Sequence, residues 1–350
     1  MPMKISLKDV DIVAPNIHGR HTGVTSTIIA LLPHQMKECR IASCGPGLPD
    51  SIPRFSYLAG ILGGWGRKRV LHARRNNEML IALFLKYFLR QPLKIVFTSA
   101  AQRELAAFTH FMLRWVDVVI ATSEIAASYV RRPSILIPHG VDLNRFCPPD
   151  RKEDAWKKTG LPGKYGVGVF GRVREQKGTD LFVQAMIDLL PRFPDWTAVV
   201  TGLEAADERD FVAGLKQRIL DAGLEDRIFM LGVRPFEEVP GWFQAVTLYV
   251  APMRSEGFGL TTLEAMASGA AVVATRAGAS PQIVSDSTTG TLVPVEDQEA
   301  LTAAIEPFLA DPEFALETGR RGRARAEQYH SIGHEARELV KVYQSLLAET

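Results

Sequence analysis

Residues 165–190 read YGVGVFGRVREQKGTDLFVQAMIDLL, and the role of the glycines at the front of this stretch decides the fold. Gly166, Gly168 and Gly171 spell G-x-G-x-x-G, the dinucleotide fingerprint. That fingerprint works when the glycines follow a strand and open a helix, so that backbone amides face a pyrophosphate. Here Val167, Val169 and Phe170 are interleaved with them, which puts the glycines inside the strand. The strand ends at Gly171, the loop Arg172–Gly178 follows, and a helix opens only at Thr179 or Asp180.

The same alternation of short apolar runs and helix-length amphipathic segments extends in both directions, the pattern of a parallel sheet covered by helices. Before the quoted stretch, strands are expected at Asp11–Ala14, Arg40–Cys44, Arg69–His72, Leu93–Thr98, Val118–Thr122 and Ser134–Ile137, with helices at Thr25–Lys37, Asn76–Leu89 and Gln102–Arg114. After it, strands are expected at Thr197–Thr201, Ile228–Leu231, Leu248–Ala251 and Ala271–Thr275, and the tail from Gly319 to Leu347 is helical in pattern. Pro148 and Pro149 open a polar linker. The fold class is therefore α/β, with two Rossmann-like domains at 1–147 and 148–330, and residues 331–350 forming a helix that packs back on the first. A chain of 350 residues suits two such domains. Two sheets of this design lead to a cleft with ligands at the C-terminal ends of the strands.

Composition narrows the function. Hydrophobic residues are 46% and charged residues 23%, enough for a large core and unlike a disordered chain. No apolar run approaches the roughly 18 residues that span a bilayer. Asp9 and Asp11 stand where a signal peptide would be apolar, so a cytoplasmic protein is expected. Cys39, Cys44 and Cys147 are read as reduced thiols. His330 and His334 have i, i+4 spacing but no third ligand or base, so no metal site is expected there. The net charge of +2 hides an asymmetry: residues 1–150 carry 19 Lys+Arg against 10 Asp+Glu, and the rest 22 against 29. The first half attracts anions. Trp65–Arg69, with Phe84, Tyr87 and Phe88 nearby, is a candidate contact with an anionic membrane. No nucleic-acid partner is expected.

Two constellations carry the chemistry. Arg172 and Lys177 bracket the loop after the first quoted strand, where a guanidinium and an ammonium can hold phosphate oxygens. Downstream, residues 255–266 read SEGFGLTTLEAM. Gly257 and Gly259 let the backbone approach a ligand, and the amides of Gly259, Leu260 and Thr261 face an anion at a helix N-terminus. Glu256 and Glu264 are eight residues apart, about 12 Å along a helix, and nothing favours the ~5 Å spacing of a retaining hydrolase pair. Acceptance of hydrogen bonds from a bound polyol is the better reading.

FGRVREQKG followed by SEGFGLTTLEAMASG resembles the donor site of retaining glycosyltransferases of the GT-B fold, in the large family of bacterial mannosyl- and glucosyltransferases. IPHGVDLNRF, DRIFMLGVRP and GASPQIVSDSTTGTLVPVEDQEAL match in order, so the resemblance spans nearly the whole chain. It implies that Arg172 and Lys177 hold the donor diphosphate, that Glu256 contacts the sugar, that Glu264 holds the ribose, and that the base sits near Val233. Gly23, Gly171, Gly257, Phe258, Gly259, Leu260 and Thr261 complete the implied donor site. Gln282 departs from the family, which often has Glu after the Pro of this segment. GVTSTI, LHARRNNEM, FTSAAQR and VIATS in the first half resemble lipopolysaccharide-core mannosyltransferases, which transfer mannose from GDP-mannose to a Kdo residue. The resemblance makes His72 a sugar-contacting histidine, against a structural histidine otherwise. Arg74 and Arg75 follow it and are expected to meet the carboxylate or phosphates of an anionic, Kdo–lipid A type acceptor.

The implied reaction retains configuration by front-face substitution, needs no cofactor or divalent metal, and uses the nucleotide sugar as substrate. The alternatives are a GT-B transferase with a UDP-hexose donor, a non-catalytic sugar-nucleotide-binding protein and, more remotely, an NAD-dependent oxidoreductase built on Gly166–Gly171.

Overall fold

The computed structural model describes residues 3, 5–17, 23–56 and 66–349. The described chain divides into two compact units, Met1–Gly140 with Ile332–Thr350, and Val141–Ser331. Each is built on one six-stranded, wholly parallel sheet.

In the first unit the strands are β1 (Ile12–Val13), β2 (Ile41–Ala42), β3 (Arg69–Ala73), β4 (Leu93–Ser99), β5 (Val118–Ala121) and β6 (Ile135–Leu136), ordered β2-β1-β3-β4-β5-β6. In the second they are β7 (Tyr165–Phe170), β8 (Trp196–Thr201), β9 (Ile228–Gly232), β10 (Val246–Ala251), β11 (Ala271–Thr275) and β12 (Thr291–Val293), ordered β12-β11-β10-β7-β8-β9. All eleven expected strands are present. β12 is additional: three residues at a sheet edge are too short for a periodic pattern. Both orders reverse direction once, between β1 and β3 and between β7 and β10. Such switch points leave a crevice outside the carboxyl ends of the strands.

The near-continuous apolar strands follow from burial on both faces. In β7 the glycines serve packing. A methyl group on Gly166 would overlap the Trp156 ring, and one on Gly168 would lie 2.8 Å from the Phe170 ring. Trp156 is fully buried and donates from Nε1 to the Pro162 carbonyl at 3.0 Å. A 3-10 turn, Glu175–Lys177, and Gly178 at φ +68° separate β7 from the helix Thr179–Leu189. The G-x-G-x-x-G match therefore lies inside a strand with no helix directly behind it.

The domain border falls after Gly140. Val141 and Phe146 are buried in the same cluster as Trp156, Phe170 and Phe243, so residues 141–147, expected with the first domain, pack with the second. The helical tail is two helices, Pro312–Tyr329 and Ile332–Ala348, broken at His330 and Ser331. There Val141 N–H donates to the His330 carbonyl at 2.8 Å. The last helix buries Leu339, Val340, Tyr343 and Leu346 with Ile28, Leu31 and Leu32 of the helix Gly23–Gln35.

Two first-half expectations are corrected. His72 is fully buried, with Nδ1 2.6 Å from Tyr343 Oη and Nε2 2.6 Å from Thr98 Oγ1. Both ring nitrogens are occupied inside the unit, and burial holds its pKa well below the usual histidine value. His72 is a neutral bolt between β3, β4 and the last helix, with no nitrogen left for a sugar. The basic run is also spent internally. Arg67 pairs with Asp11, Lys68 bonds the Glu349 carbonyl, and buried Arg69 donates to the Leu7 and Val10 carbonyls. Trp65 lies outside the described residues.

Gly166→Ala should lower stability by about 1–3 kcal/mol through overpacking against Trp156. Denaturant unfolding checks this, and any nucleotide-induced stabilisation should survive the substitution, because Gly166 faces the core.

Candidate donor site

β7 and β10 are neighbours, with Leu248 opposite Val167 and Tyr249 opposite Gly168. Their following loops, 171–178 and 252–259, therefore emerge side by side. Gly171 has φ +138°, and a side chain on Gly202 would collide with its carbonyl. Val173 N–H donates to the Leu203 carbonyl at 3.0 Å, which pins the loop to the end of β8. Gly178 sits so close to the Pro252 carbonyl that no side chain fits there.

The two loops are fastened by Arg254. Its backbone N–H donates to the Gln176 carbonyl at 2.9 Å. Its guanidinium makes a two-pronged pair with Asp180 at 2.8 and 2.9 Å, donates to the Glu175 carbonyl, and reaches Glu296 at 3.0 Å. Gln176 Nε2 answers from the other loop, 2.8 Å from Ser255 Oγ. Arg254 was missed in the sequence reading. Its signal was a lone cation next to SEGFG, and its partners Glu175 and Asp180 lie 79 and 74 residues upstream.

Lys177 pairs with Glu256 across the two loops, and both are largely buried. Glu256 also accepts from Gly257 N–H at 2.9 Å. Gly278 closes against the Glu256 backbone, where a methyl group would clash. Behind this pair the helix Leu260–Ala267 starts at Gly259, φ +101°, with no capping side chain. The amides of Leu260 and Thr261 therefore lack intrahelical partners. Thr262 Oγ1 is buried without a partner. Gly257 and Phe258 are buried beneath the turn, and Arg172 stands exposed at the end of β7. An uncapped helix start with a lysine nearby has the chemistry that attracts an anion.

Glu264 lies one turn further on, and desolvation pushes its pKa up to about 8, with Arg145 pulling the other way. Arg145 stacks on Phe236, its guanidinium 3.5 Å from the ring centroid, and donates to the Phe236 carbonyl at 2.7 Å. Arg145 too was missed, although it stands in IPHGVDLNRF. Val233 follows Gly232, φ +65°, and is 62% exposed at the end of β9. Gln282 lies on the short helix Ser280–Ile283, its carbonyl bonded to Arg325 at 2.8 Å.

Gly23, His72, Arg74 and Arg75 belong to the first unit, at its own switch point. Arg75 pairs with the wholly buried Glu78 at 2.8 Å and donates to Asn16 Oδ1 and Thr25 Oγ1 at 3.0 and 3.1 Å. That corrects the expectation that it faces an acceptor: it staples the turns after β1 and β3. Arg74 keeps a buried Nη1 without a partner. Gly23 is the exposed first residue of its helix. Among the described residues no group of three or more His, Cys, Asp or Glu is placed to hold a metal ion.

A sequence profile described as "Glycosyl transferases group 1" matches residues 150–325, the unit that carries this arrangement. The chain belongs to that family. It is a glycosyltransferase of the GT-B fold. It is 48% identical over 349 residues to the lipopolysaccharide core biosynthesis mannosyltransferase LpcC of Rhizobium leguminosarum bv. viciae, covering 98% of each chain. It is 46% identical over 354 residues to LpsB of Rhizobium meliloti (strain 1021), which has the same description, covering 98% of this chain and 99% of that one. Among solved structures, the C-terminal domain of LpcC from Francisella tularensis is 36% identical with a TM-score of 0.52, covering 55% of this chain and all of that one. Anabaena HepE is 19% identical with a TM-score of 0.79, covering 98% of this chain and all of HepE, a likeness of fold.

Arg254→Met should lower kcat/KM for the donor by about 10²-fold, the cost of roughly 1 Å of misplacement in a phosphate site. Arg254→Lys should recover only part of it, because an ammonium cannot make the two-pronged pair. Steady-state kinetics check both. Glu264 predicts a pH effect. Its folded pKa, about 8, exceeds its ordinary 4.5, so between these values the folded protein holds a proton that the unfolded chain has released. Its contribution to stability is therefore whole below the lower value and declines as pH rises to the upper one. Unfolding across this window should show the decline in wild type and its loss in Glu264→Gln.

Proposed function

We propose that the enzyme transfers mannose from GDP-mannose, with retention, to the Kdo region of a lipopolysaccharide inner core. The observation that carries the reading is the uncapped start of the Leu260–Ala267 helix beside Lys177 and Arg172, which suits a diphosphate. The choice of sugar and acceptor is supported by identities of 48% and 46%, over almost the full length, to two lipopolysaccharide core mannosyltransferases.

The donor diphosphate lies on the amides of Gly259, Leu260 and Thr261, with Arg172 and Lys177 on its oxygens. Its arrival shares Lys177 between phosphate and Glu256, and Glu256 turns towards the sugar hydroxyls. The ribose hydroxyls donate to Glu264, and the base rests by Val233. An acceptor hydroxyl attacks C1 from the face that the leaving group departs. As the bond from C1 to the phosphate oxygen breaks, the diphosphate takes the hydroxyl proton, and GDP and the mannosylated acceptor result. Lys177, Arg172 and the helix amides stabilise the charge growing on the diphosphate, which is the work a divalent metal does elsewhere. Arg74, with its unpartnered Nη1, meets the anionic acceptor.

The test is transfer of labelled mannose from GDP-mannose to a Kdo-containing lipid A, alongside UDP-glucose and NAD as competing ligands in thermal unfolding. GDP-mannose alone should stabilise the protein, by about 2.7 kcal/mol at 100 times its dissociation constant. Activity should survive EDTA, and Lys177→Ala should lose about 10²–10³ in kcat. Stabilisation by UDP-glucose alone would overturn the donor, and complete loss of activity in EDTA would overturn the metal-free route.

A further inference from the structure

The helix Leu260–Ala267 has two unlike ends. At its start the amides of Leu260 and Thr261 lack intrahelical partners, and Thr262 Oγ1 is buried without one. At its other end the carbonyls from Glu264 to Ser268 are all taken. Ser268, Gly269 and Ala270 N–H donate to the Glu264, Met266 and Ala265 carbonyls, each at 3.0 Å. With Gly269 at φ +73° this is a Schellman closure. It leaves the carbonyls of Ala267 and Ser268, and a cation takes each. Arg323 Nη1 donates to Ala267 at 2.7 Å, and Lys152 Nζ donates to Ser268 at 2.9 Å.

Neither cation belongs to the helix it serves. Lys152 opens the helix Lys152–Lys157 and is buried. Besides Ser268 it donates to the carbonyls of Val246, at the start of β10, and Phe243, in the last turn of Val239–Ala245, at 2.9 and 3.3 Å. Three acceptors match the three donors of an ammonium, whereas a neutral amine has two. Burial nevertheless pushes its pKa down to about 7. Asp150, Arg151 and Glu153 of its own segment and Arg320 and Arg323 of Pro312–Tyr329 are the charged side chains around it. Val239–Ala245 carries none, and Glu264 is the only one within Leu260–Ala267. Arg323 has a side chain 17% exposed, and it also donates to the Phe146 carbonyl at 2.8 Å and to Glu327 at 2.7 Å.

Cations at the end of this helix act on its start in two ways. They tie the last carbonyls to β10 and to three other segments, so the helix is held along its axis and its first amides keep their place. They also offset the negative end of the dipole, which leaves the positive end to act on an anion with less opposition. The two ends are about 12 Å apart, close enough for unit charges to act on one another through a protein interior.

We infer that Lys152 and Arg323 are positioning residues for the donor, which from the far end of the Leu260–Ala267 helix raise the affinity of its near end for a nucleoside diphosphate. The inference rests on the reading of that near end as the diphosphate site.

The test is calorimetric titration of the full chain with GDP and with UDP, each beside its own nucleoside, at a pH below the Lys152 value. Wild type should bind one of the diphosphates. Lys152→Met keeps the apolar stem and removes the charge. It should weaken that diphosphate by about tenfold and leave the uncharged nucleoside unchanged, whereas a loss of structure would weaken both alike. Raising the pH past the Lys152 value should weaken diphosphate binding more in wild type than in Lys152→Met, because only wild type has that proton to lose and Glu264 titrates in both. Should Lys152→Met fold poorly, Arg323→Gln should show the same split between diphosphate and nucleoside. Diphosphate affinity unchanged in the variant, or an equal loss for diphosphate and nucleoside, would overturn the inference and leave the donor reading standing. Wild type that binds neither diphosphate would overturn both.

Discussion

The candidate donor site depends on a constraint of sheet topology: β7 and β10, whose carboxyl ends Phe170 and Ala251 are 81 residues apart, lie side by side and parallel. The chain runs outward from β7 through β8 and β9, then returns to add β10 on the other side. Loops at the carboxyl ends of strands on opposite sides of a switch point diverge, and the gap between them is where a ligand fits. Each loop alone is a charged turn. Only as neighbours do they pair Lys177 with Glu256 and leave a bare helix start beside a cation.

Adjacency does not make the loops rigid, and the polar fastening between them does. Arg254 is suited to that work because its planar fork satisfies Asp180 two-pronged while its remaining N–H groups reach a carbonyl and a second carboxylate. Of the cations on these loops, Lys177 and Arg254 are held by carboxylates, whereas Arg172 stands exposed. Backbone approach is equally demanding. Gly178 against Pro252 and Gly278 against Glu256 are contacts that any side chain would block.

The first unit repeats the theme with a different balance. Its switch point lies between β1 and β3, and there Arg75, Glu78, Asn16 and Thr25 form a closed network. Burying a charged pair is costly unless its hydrogen bonds are satisfied. Here they are satisfied by Asn16 and Thr25, which follow β1, and by Arg75, which follows β3. The resemblance gave His72 a contact role and its place in the chain suggested one for Arg75, but residue type and place after a strand do not tell whether a side chain points to the crevice or into the unit. Tyr343, 271 residues from His72, decides that it points inward.

Much was already written in the order of residues. Alternating apolar runs and amphipathic stretches determine two parallel sheets, because strands buried on both faces must be apolar throughout and their covering helices must be apolar on one side. The loop chemistry of Arg172–Gly178 and Ser255–Met266 is local too, since glycine, lysine and glutamate at those spacings act through nearby backbone. What the tertiary structure alone decided is every contact between distant segments: Arg254 with Asp180, Arg145 with Phe236, His72 with Tyr343, and the use of Arg67–Arg69 within the first unit. It also decided which apolar residues remain outside. Phe111 and Trp115 read in the sequence like any other core aromatics, because periodicity records that a helix has an apolar face but not whether a second layer covers it.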